Sequence, residues 1–191
     1  MRCRIFAMVV CLGATAVMAQ EKSVLVDDED IWKQYTRPEV KVTEINGNQA
    51  TLGGVSIGTI LNDQLYFGIT GDILVDKITA DDDSDIRLDR WDWWYAGAEV
   101  GYIFNPDSLV HLSVSSLFGG GQIEFKDTPD DDTDGFWIIE PGIQANINLS
   151  DTWEFGLGVS YRWTSDIDLD GVEEDDLTDV AFTAFFRALE F

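Results

Sequence analysis

The amino-acid sequence predicts an all-β fold, an eight-stranded antiparallel up-and-down transmembrane β-barrel, and three observations carry that prediction. Segments of roughly ten residues alternate apolar and small polar side chains with a period of two, which is how a strand with two unlike faces reads. Tight turns alternate with long acidic connections along the chain. The chain opens with an export signal, and nothing after it supplies the ~18 consecutive apolar residues of a membrane-spanning helix. A membrane-spanning structure would therefore have to be built from paired strands.

Arg2 and Arg4 precede an apolar run from Ile5 to Val17 that ends in Val17-Met18-Ala19. A basic start, a short apolar stretch and small residues at a cleavage site make residues 1–19 a cleaved signal peptide, with the mature chain starting at Gln20. Cys3 and Cys11 both lie in that leader, so the mature chain has no thiol for a disulfide, a metal or nucleophilic attack. Cys11 follows Val9-Val10 where lipid attachment calls for small residues, which argues against a lipoprotein. Residues 20–38 read as a periplasmic tether, with one helical turn over Asp30 to Arg37 as the alternative.

The formal net charge is −24, from 36 acidic and 12 basic residues, and loss of Arg2 and Arg4 takes it to −26. Such a chain lacks the clustered Lys and Arg that phosphate binding requires, so nucleic acid is excluded as a partner. Yet 45% hydrophobic and 12% aromatic residues also exclude disorder. The acid is localised instead, in Asp81 to Asp85, in Asp127 to Asp134 and in Asp166 to Asp176.

The barrel is expected to run from residue 39 to residue 191. Glu39 to Ile45 and Gln49 to Leu61 form a hairpin about Asn46-Gly47, with the first strand short and charged. In Leu65 to Val75, Leu65, Phe67, Ile69, Gly71, Ile73 and Val75 alternate with Tyr66, Gly68, Thr70, Asp72 and Leu74. The following strands sort in the same way: Trp93 to Phe104, Val110 to Phe118, Trp137 to Leu149 and Trp153 to Thr164. Leu177 to Phe191 supplies the eighth. Asn62 to Gln64, Asn105 to Ser108 and Ser150 to Thr152 are the tight, periplasmic turns, and the long acidic connections face outward. Pro141 stands within a strand, where its missing N–H predicts a bulge.

A water-soluble barrel would show the same period, so the character of the polar face decides between the two. That face is mainly Gly, Ser, Asn and Gln rather than Lys, Glu and Thr, as suits a tube just wide enough for side chains to fill. The apolar face then meets lipid. Trp94, Phe118, Trp137 and Trp163 at the loop ends, and Tyr102, Phe104 and Trp153 near the turn ends, are expected to form the two interfacial girdles.

The stretch from Glu140-Pro141-Gly142-Ile143 through Gly156-Leu157-Gly158-Val159-Ser160-Tyr161-Arg162, closing at Phe191, resembles the outer-membrane β-barrel domain superfamily of OmpA-like, OmpX-like and opacity-type proteins. The resemblance covers the mature chain as a pattern. It implies the outer membrane of a Gram-negative cell, a monomer set among outer-membrane lipid and lipopolysaccharide, and a terminal Phe191, with Leu189, read by the barrel assembly machinery. Arg187 shares the parity of Phe191, which places it toward lipid and predicts either a bulge or a snorkelling side chain.

Three constellations hold candidate chemistry. His111-Leu112-Ser113 resembles the His-x-Ser of lipid A deacylase barrels, where His activates a Ser nucleophile. Val114 replaces the Asn that follows in that family, however, and the pair lies just after a periplasmic turn, so His111 is expected to be hydrogen-bonded in a polar interior and no enzyme activity is expected. Asp166-Ile167-Asp168-Leu169-Asp170-Gly171 matches the start of a calcium loop, with Asp166, Asp168 and Asp170 as ligands. The twelfth position holds Leu177 rather than Glu, and the competing expectation is a solvated loop with a diffuse cation atmosphere. Inward Asp72, Glu99, Glu140 and Glu154, with Arg162 as the clearest basic counterpart, predict a salt-bridged plug, with a narrow cation-preferring pore as the alternative.

Overall fold

The computed structural model describes residues 31–45, 48–75, 91–125, 132–165 and 177–190. Eight strands follow in chain order: β1 (Trp32–Ile45), β2 (Asn48–Leu61), β3 (Leu65–Leu74), β4 (Trp91–Phe104), β5 (Val110–Phe125), β6 (Asp132–Asn148), β7 (Trp153–Ser165) and β8 (Asp179–Glu190). Each pairs antiparallel with the next, and β8 pairs with β1, which closes the barrel. Closure leaves no strand edge unpaired, the condition for strands to cross a bilayer. The signal peptide and most of the tether lie outside the described residues, as do Asn46-Gly47, the acidic loops and Phe191.

At one end, here called the turn end, short turns join β2 to β3, β4 to β5 and β6 to β7. Asn62, Asp63 and Asn105 have φ of 52°, 58° and 52°, the left-handed region that Asn and Asp tolerate best among side-chain-bearing residues. In the third turn, Ser150 Oγ accepts from the N–H groups of Thr152 at 3.3 Å and Trp153 at 3.1 Å. The opposite, loop end carries the longer connections from β3 to β4, β5 to β6 and β7 to β8, together with the two-residue connection 46–47 from β1 to β2.

The alternation sorts side chains as the sequence pattern implies along β3 to β7. Val55, Ile57, Ile69, Ile73, Leu112, Ile143, Leu157 and Phe182 are exposed on the outer face. Tyr66, Asp72, Glu99, Ser113, Asn146 and Arg162 are buried on the inner face. Such a largely apolar exterior around a polar-containing interior suits a hydrocarbon solvent.

Four expectations are corrected. First, β1 begins at Trp32, so residues 32–38 are the first half of a fourteen-residue strand rather than a tether or a helical turn. Its inner face carries Tyr35, Arg37, Glu39, Lys41 and Thr43, and charge on that face masked the period. Second, Pro141 makes no bulge. It pairs with Ser116 on β5, and on β7 the register resumes in step, Ile139 with Trp163 and Gly142 with Ser160. The proline loses ladder bonds without an inserted residue. Pro38 acts likewise, since β1 meets β8 at Thr36–Ala188 and again, still in step, at Glu39–Phe185.

Third, Arg187 faces inward and is fully buried, with β8 running regularly against β7 from Trp153–Ala188 to Arg162–Asp179. Neither a bulge nor snorkelling is involved. Fourth, the interior is not filled by small polar residues alone. Leu52, Trp93, Ile123, Phe136, Ile138 and Leu177 form an apolar core toward the loop end, and Tyr35, Ile60, Tyr66 and Ile103 a smaller one toward the turn end. A tube this narrow excludes bulk water, so apolar side chains pack inside it as they do in any core.

Candidate functional site

The inner faces of β1, β3, β4 and β6 bring a charged layer together between the two apolar clusters. Lys41 Nζ reaches Asp72 Oδ2 at 3.0 Å, Glu39 Oε1 at 3.2 Å and Glu140 Oε1 at 3.2 Å. Arg37 reaches Glu99 Oε2 through Nη2 at 2.8 Å and Glu39 Oε2 through Nε at 3.0 Å. Hydroxyls add further hydrogen bonds to Glu140 and Glu99, while Asp72 Oδ1 is buried without a hydrogen-bond donor. Ser160 donates to Glu140 Oε1 at 2.7 Å, Tyr95 to Glu140 Oε2 at 3.0 Å and Thr70 to Glu99 Oε2 at 3.2 Å. Every charged member of this layer is buried, and a buried charge persists only with such partners. The space left among them is about 30 Å³, room for about one or two waters.

A second charged group lies nearer the turn end. Glu154 accepts from Arg187 Nη1 at 2.8 Å, and its other oxygen lies 3.2 Å from His111 Nε2. Arg187 is enclosed by the rings of Tyr35, Tyr66 and Phe185 at 5.4, 5.1 and 5.5 Å. His111 and Glu154 form part of the lining of a vestibule of about 700 Å³ that opens between the turns.

The inward residues singled out by sequence thus fall into two groups, Asp72, Glu99 and Glu140 in one and His111 and Glu154 in the other. Arg162 joins neither. Its Nε donates to the Leu177 carbonyl at 2.7 Å and its Nη2 to Thr43 Oγ1 at 3.2 Å, while its guanidinium lies 4.6 Å from the Trp93 ring centre. The cations that pair with the carboxylates are Arg37, Lys41 and Arg187, which the pattern reading missed. Charge counting was the available signal. Five buried carboxylates require cations, and after the leader this chain has few to offer outside its loops.

His111 and Ser113 are both buried, but they do not engage each other. Ser113 donates to Gln144 Oε1 at 2.7 Å and accepts from Asn146 Nδ2 at 2.9 Å, while His111 Nδ1 lies 3.4 Å from the Ser108 carbonyl. Among the described residues no group of three or more His, Cys, Asp or Glu is arranged to hold a metal ion. Asp166, Asp168 and Asp170 lie outside them. Trp94, Tyr102, Phe104, Phe118, Trp137, Trp153 and Trp163 are all exposed on the outer face. Phe118 sits midway along β5 rather than at its loop end.

Comparison with solved structures places the same architecture in other proteins. The crystal structure of Neisserial surface protein A superposes with a TM-score of 0.63 at 13% identity, covering 84% of this chain and 97% of that one. The N-terminal β-barrel domain of Pseudomonas aeruginosa OprF superposes with a TM-score of 0.58 at 10% identity, covering 81% of this chain and 96% of that domain. Identities this low speak to fold alone. No curated protein matches the sequence. The family model of the outer membrane protein beta-barrel domain matches residues 6–185, so the chain belongs to that family and the outer membrane is where it resides.

Proposed function

We propose that this chain is a non-enzymatic barrel, closed to ion flow, that holds its acidic loops at the outer surface for interactions there. One observation carries the reading. Beyond the turn-end vestibule the lumen is blocked at three successive levels, by the Tyr35, Tyr66 and Arg187 group, the Lys41-centred layer, and an apolar cluster toward the loop end. A buried layer in which every charged side chain has an opposite charge within 3.2 Å, set between two apolar clusters, offers no hydrated path. Short turns inside and long loops outside are the general arrangement of such barrels, and this puts the acidic segments on the cell surface. The separate partners of His111 and Ser113 favour a structural use of both residues.

Planar-bilayer recording of the purified barrel tests this, with no steady current as the expected result. Sustained ohmic current selective for cations would instead favour the narrow pore, fed by the vestibule that Asp107, Asp151 and Glu154 help to line. Calcium binding by Asp166, Asp168 and Asp170 is a further proposal. Calorimetric titration with Ca²⁺, beside an Asp168→Asn control, should give saturable heat only in the unaltered chain. Absence of saturable heat leaves the loop with a diffuse cation atmosphere.

Trp94, Tyr102, Phe104, Trp137, Trp153 and Trp163 are proposed to sit at the membrane interfaces. Phe191 is proposed to be the contact for the assembly machinery. Deletion of Phe191 should reduce the amount of barrel reaching the outer membrane, and undiminished assembly would remove that role.

A further inference from the structure

We propose that the outer face of the barrel between Trp94 and Trp137 seats one acyl chain of lipopolysaccharide. An open trough of about 500 Å³ lies there, with Trp94 and Trp137 as walls, Gly120 and Gly135 as floor, and Gln122 at its loop side. The strand register explains the shape. Trp94 on β4 stands in one row with Gln122 on β5 and Gly135 on β6, while Trp137 on β6 stands in another with Gly120 and Ala96. Each indole therefore faces, two strands away, a residue with little or no side chain. Strands stand about 4.8 Å apart and the two rows about 7 Å apart along the strands, so the walls rise about 12 Å apart at the backbone and leave room for a single alkyl chain.

The glycines of this region differ, and on the outward Gly120 a Cβ would stand 3.0 Å from the Phe136 carbonyl oxygen, tighter than an ordinary contact. Gly119 and Gly121 point inward, and a Cβ on them would collide with the Ala96 and Trp94 carbonyls respectively, so the packing of the wall and interior requires them. Gly135 points outward. A Cβ built on it would meet only the Gly121 carbonyl oxygen at 3.7 Å, an ordinary contact. No neighbour among the described residues requires Gly135 to be small, and what its missing side chain provides is the trough.

The occupant follows from the surroundings. The trough is continuous with the exposed apolar belt of Ile73, Phe118 and Ile139, which family membership sets against membrane hydrocarbon. It lies toward the loop end, and with the loops outside, as proposed above, the lipid at that end is lipopolysaccharide. Gln122 and the exposed indoles carry N–H donors suited to the carbonyl groups where an acyl chain joins its headgroup.

Native mass spectrometry of the barrel, produced from its full precursor and extracted from outer membranes in detergent, tests the seat by counting retained lipid. One lipopolysaccharide molecule per barrel is expected. Gly135→Leu, which fills the trough, and Trp137→Ala, which removes a wall, should each lower the retained fraction by about tenfold. Ala184→Leu on the outer face of β8 should leave it unchanged. All three changes are on the outer face, and heat-dependent gel migration verifies folding.

Equal retention by Gly135→Leu, or phospholipid retained in place of lipopolysaccharide, would overturn the proposal. Labelling of the loops on intact cells separates the two layers of inference. Loops inaccessible from outside would remove the orientation and the choice of lipid together, whereas accessible loops with no retained lipopolysaccharide would remove the seat alone.

Discussion

Arg187 and Glu154 stand directly opposite each other on β8 and β7 and meet at 2.8 Å inside the barrel, both buried. The chain thus keeps a cation at a position whose parity, counted from its last residue, had pointed to lipid. Aromatic rings enclose Arg187, and Glu154 is flanked by His111 at the edge of the vestibule, so loss of either charge leaves a buried partner uncompensated.

Replacement of Glu154 by Gln should accordingly destabilise the barrel by about 3–5 kcal/mol, the usual cost of leaving one member of a buried pair uncompensated. Urea unfolding in lipid vesicles measures this. Arg187→Met combined with Glu154→Gln should lose less than the two single changes together, because no unpaired charge remains. Strict additivity would mean that the two side chains act independently.

Lys41 is the hub of the larger layer, with Glu39, Asp72 and Glu140 all within 3.2 Å of its ammonium. Lys41→Met should be the most damaging single substitution in the interior, exceeding the effect of Glu154→Gln. Adding Asp72→Asn should recover part of the loss. The yield of folded, heat-modifiable barrel is a sufficient measure, and full tolerance of Lys41→Met would show that the layer does not depend on that charge.

Arg162 ties the root of the last acidic loop to the barrel wall through the Leu177 carbonyl and Thr43. Arg162→Met should cost about 1.5–3 kcal/mol, the range for hydrogen bonds to a charged group. The loss should appear locally, as faster amide exchange at Leu177 to Val180, with much less change in the middle of β7. Uniform acceleration along the barrel would indicate a global role instead.

Gly101 and Gly156 are small for a steric reason. A Cβ on Gly101 would run into the Tyr66 ring, and one on Gly156 into the Phe185 ring. Alanine at either position should cost about 1–3 kcal/mol through overpacking. Gly71→Ala, which meets only ordinary contacts at 3.8 Å, should be nearly neutral in the same unfolding assay.

The strands whose two faces differ in hydropathy were legible in the sequence. Phe155, Leu157 and Val159 against Gly156, Gly158 and Ser160 give β7 almost by inspection, and β3 to β6 follow the same contrast. The first half of β1 escaped because Arg37 marks its inner face as though it were solvated and because Pro38 reads as a stop, whereas its second half, Glu39 to Ile45, reads as a short, charged strand.

The charged interior was legible only by halves. Four of its carboxylates fall on inward parity within readable strands, while Arg37 lies on the unread half of β1, Lys41 on its short, charged half, and Arg187 on a strand whose parity, counted from its terminus, points the other way. The apolar inner cluster could not be found by alternation at all. Where Trp93 and Trp94, or Ile138 and Ile139, are both apolar, a period of two leaves no contrast to read.

The central claim is that the apolar half of each strand meets lipid while the other half fills a closed tube. Power-saturation EPR of single nitroxide labels, attached through cysteines introduced one at a time from Phe155 to Trp163 in lipid vesicles, measures this directly. The account predicts period-two alternation in access to bilayer-soluble oxygen, with maxima at Leu157, Val159 and Tyr161. Maxima at Gly156, Gly158 and Ser160, or ready access of a water-soluble nickel complex to Leu157 and Val159, would contradict it.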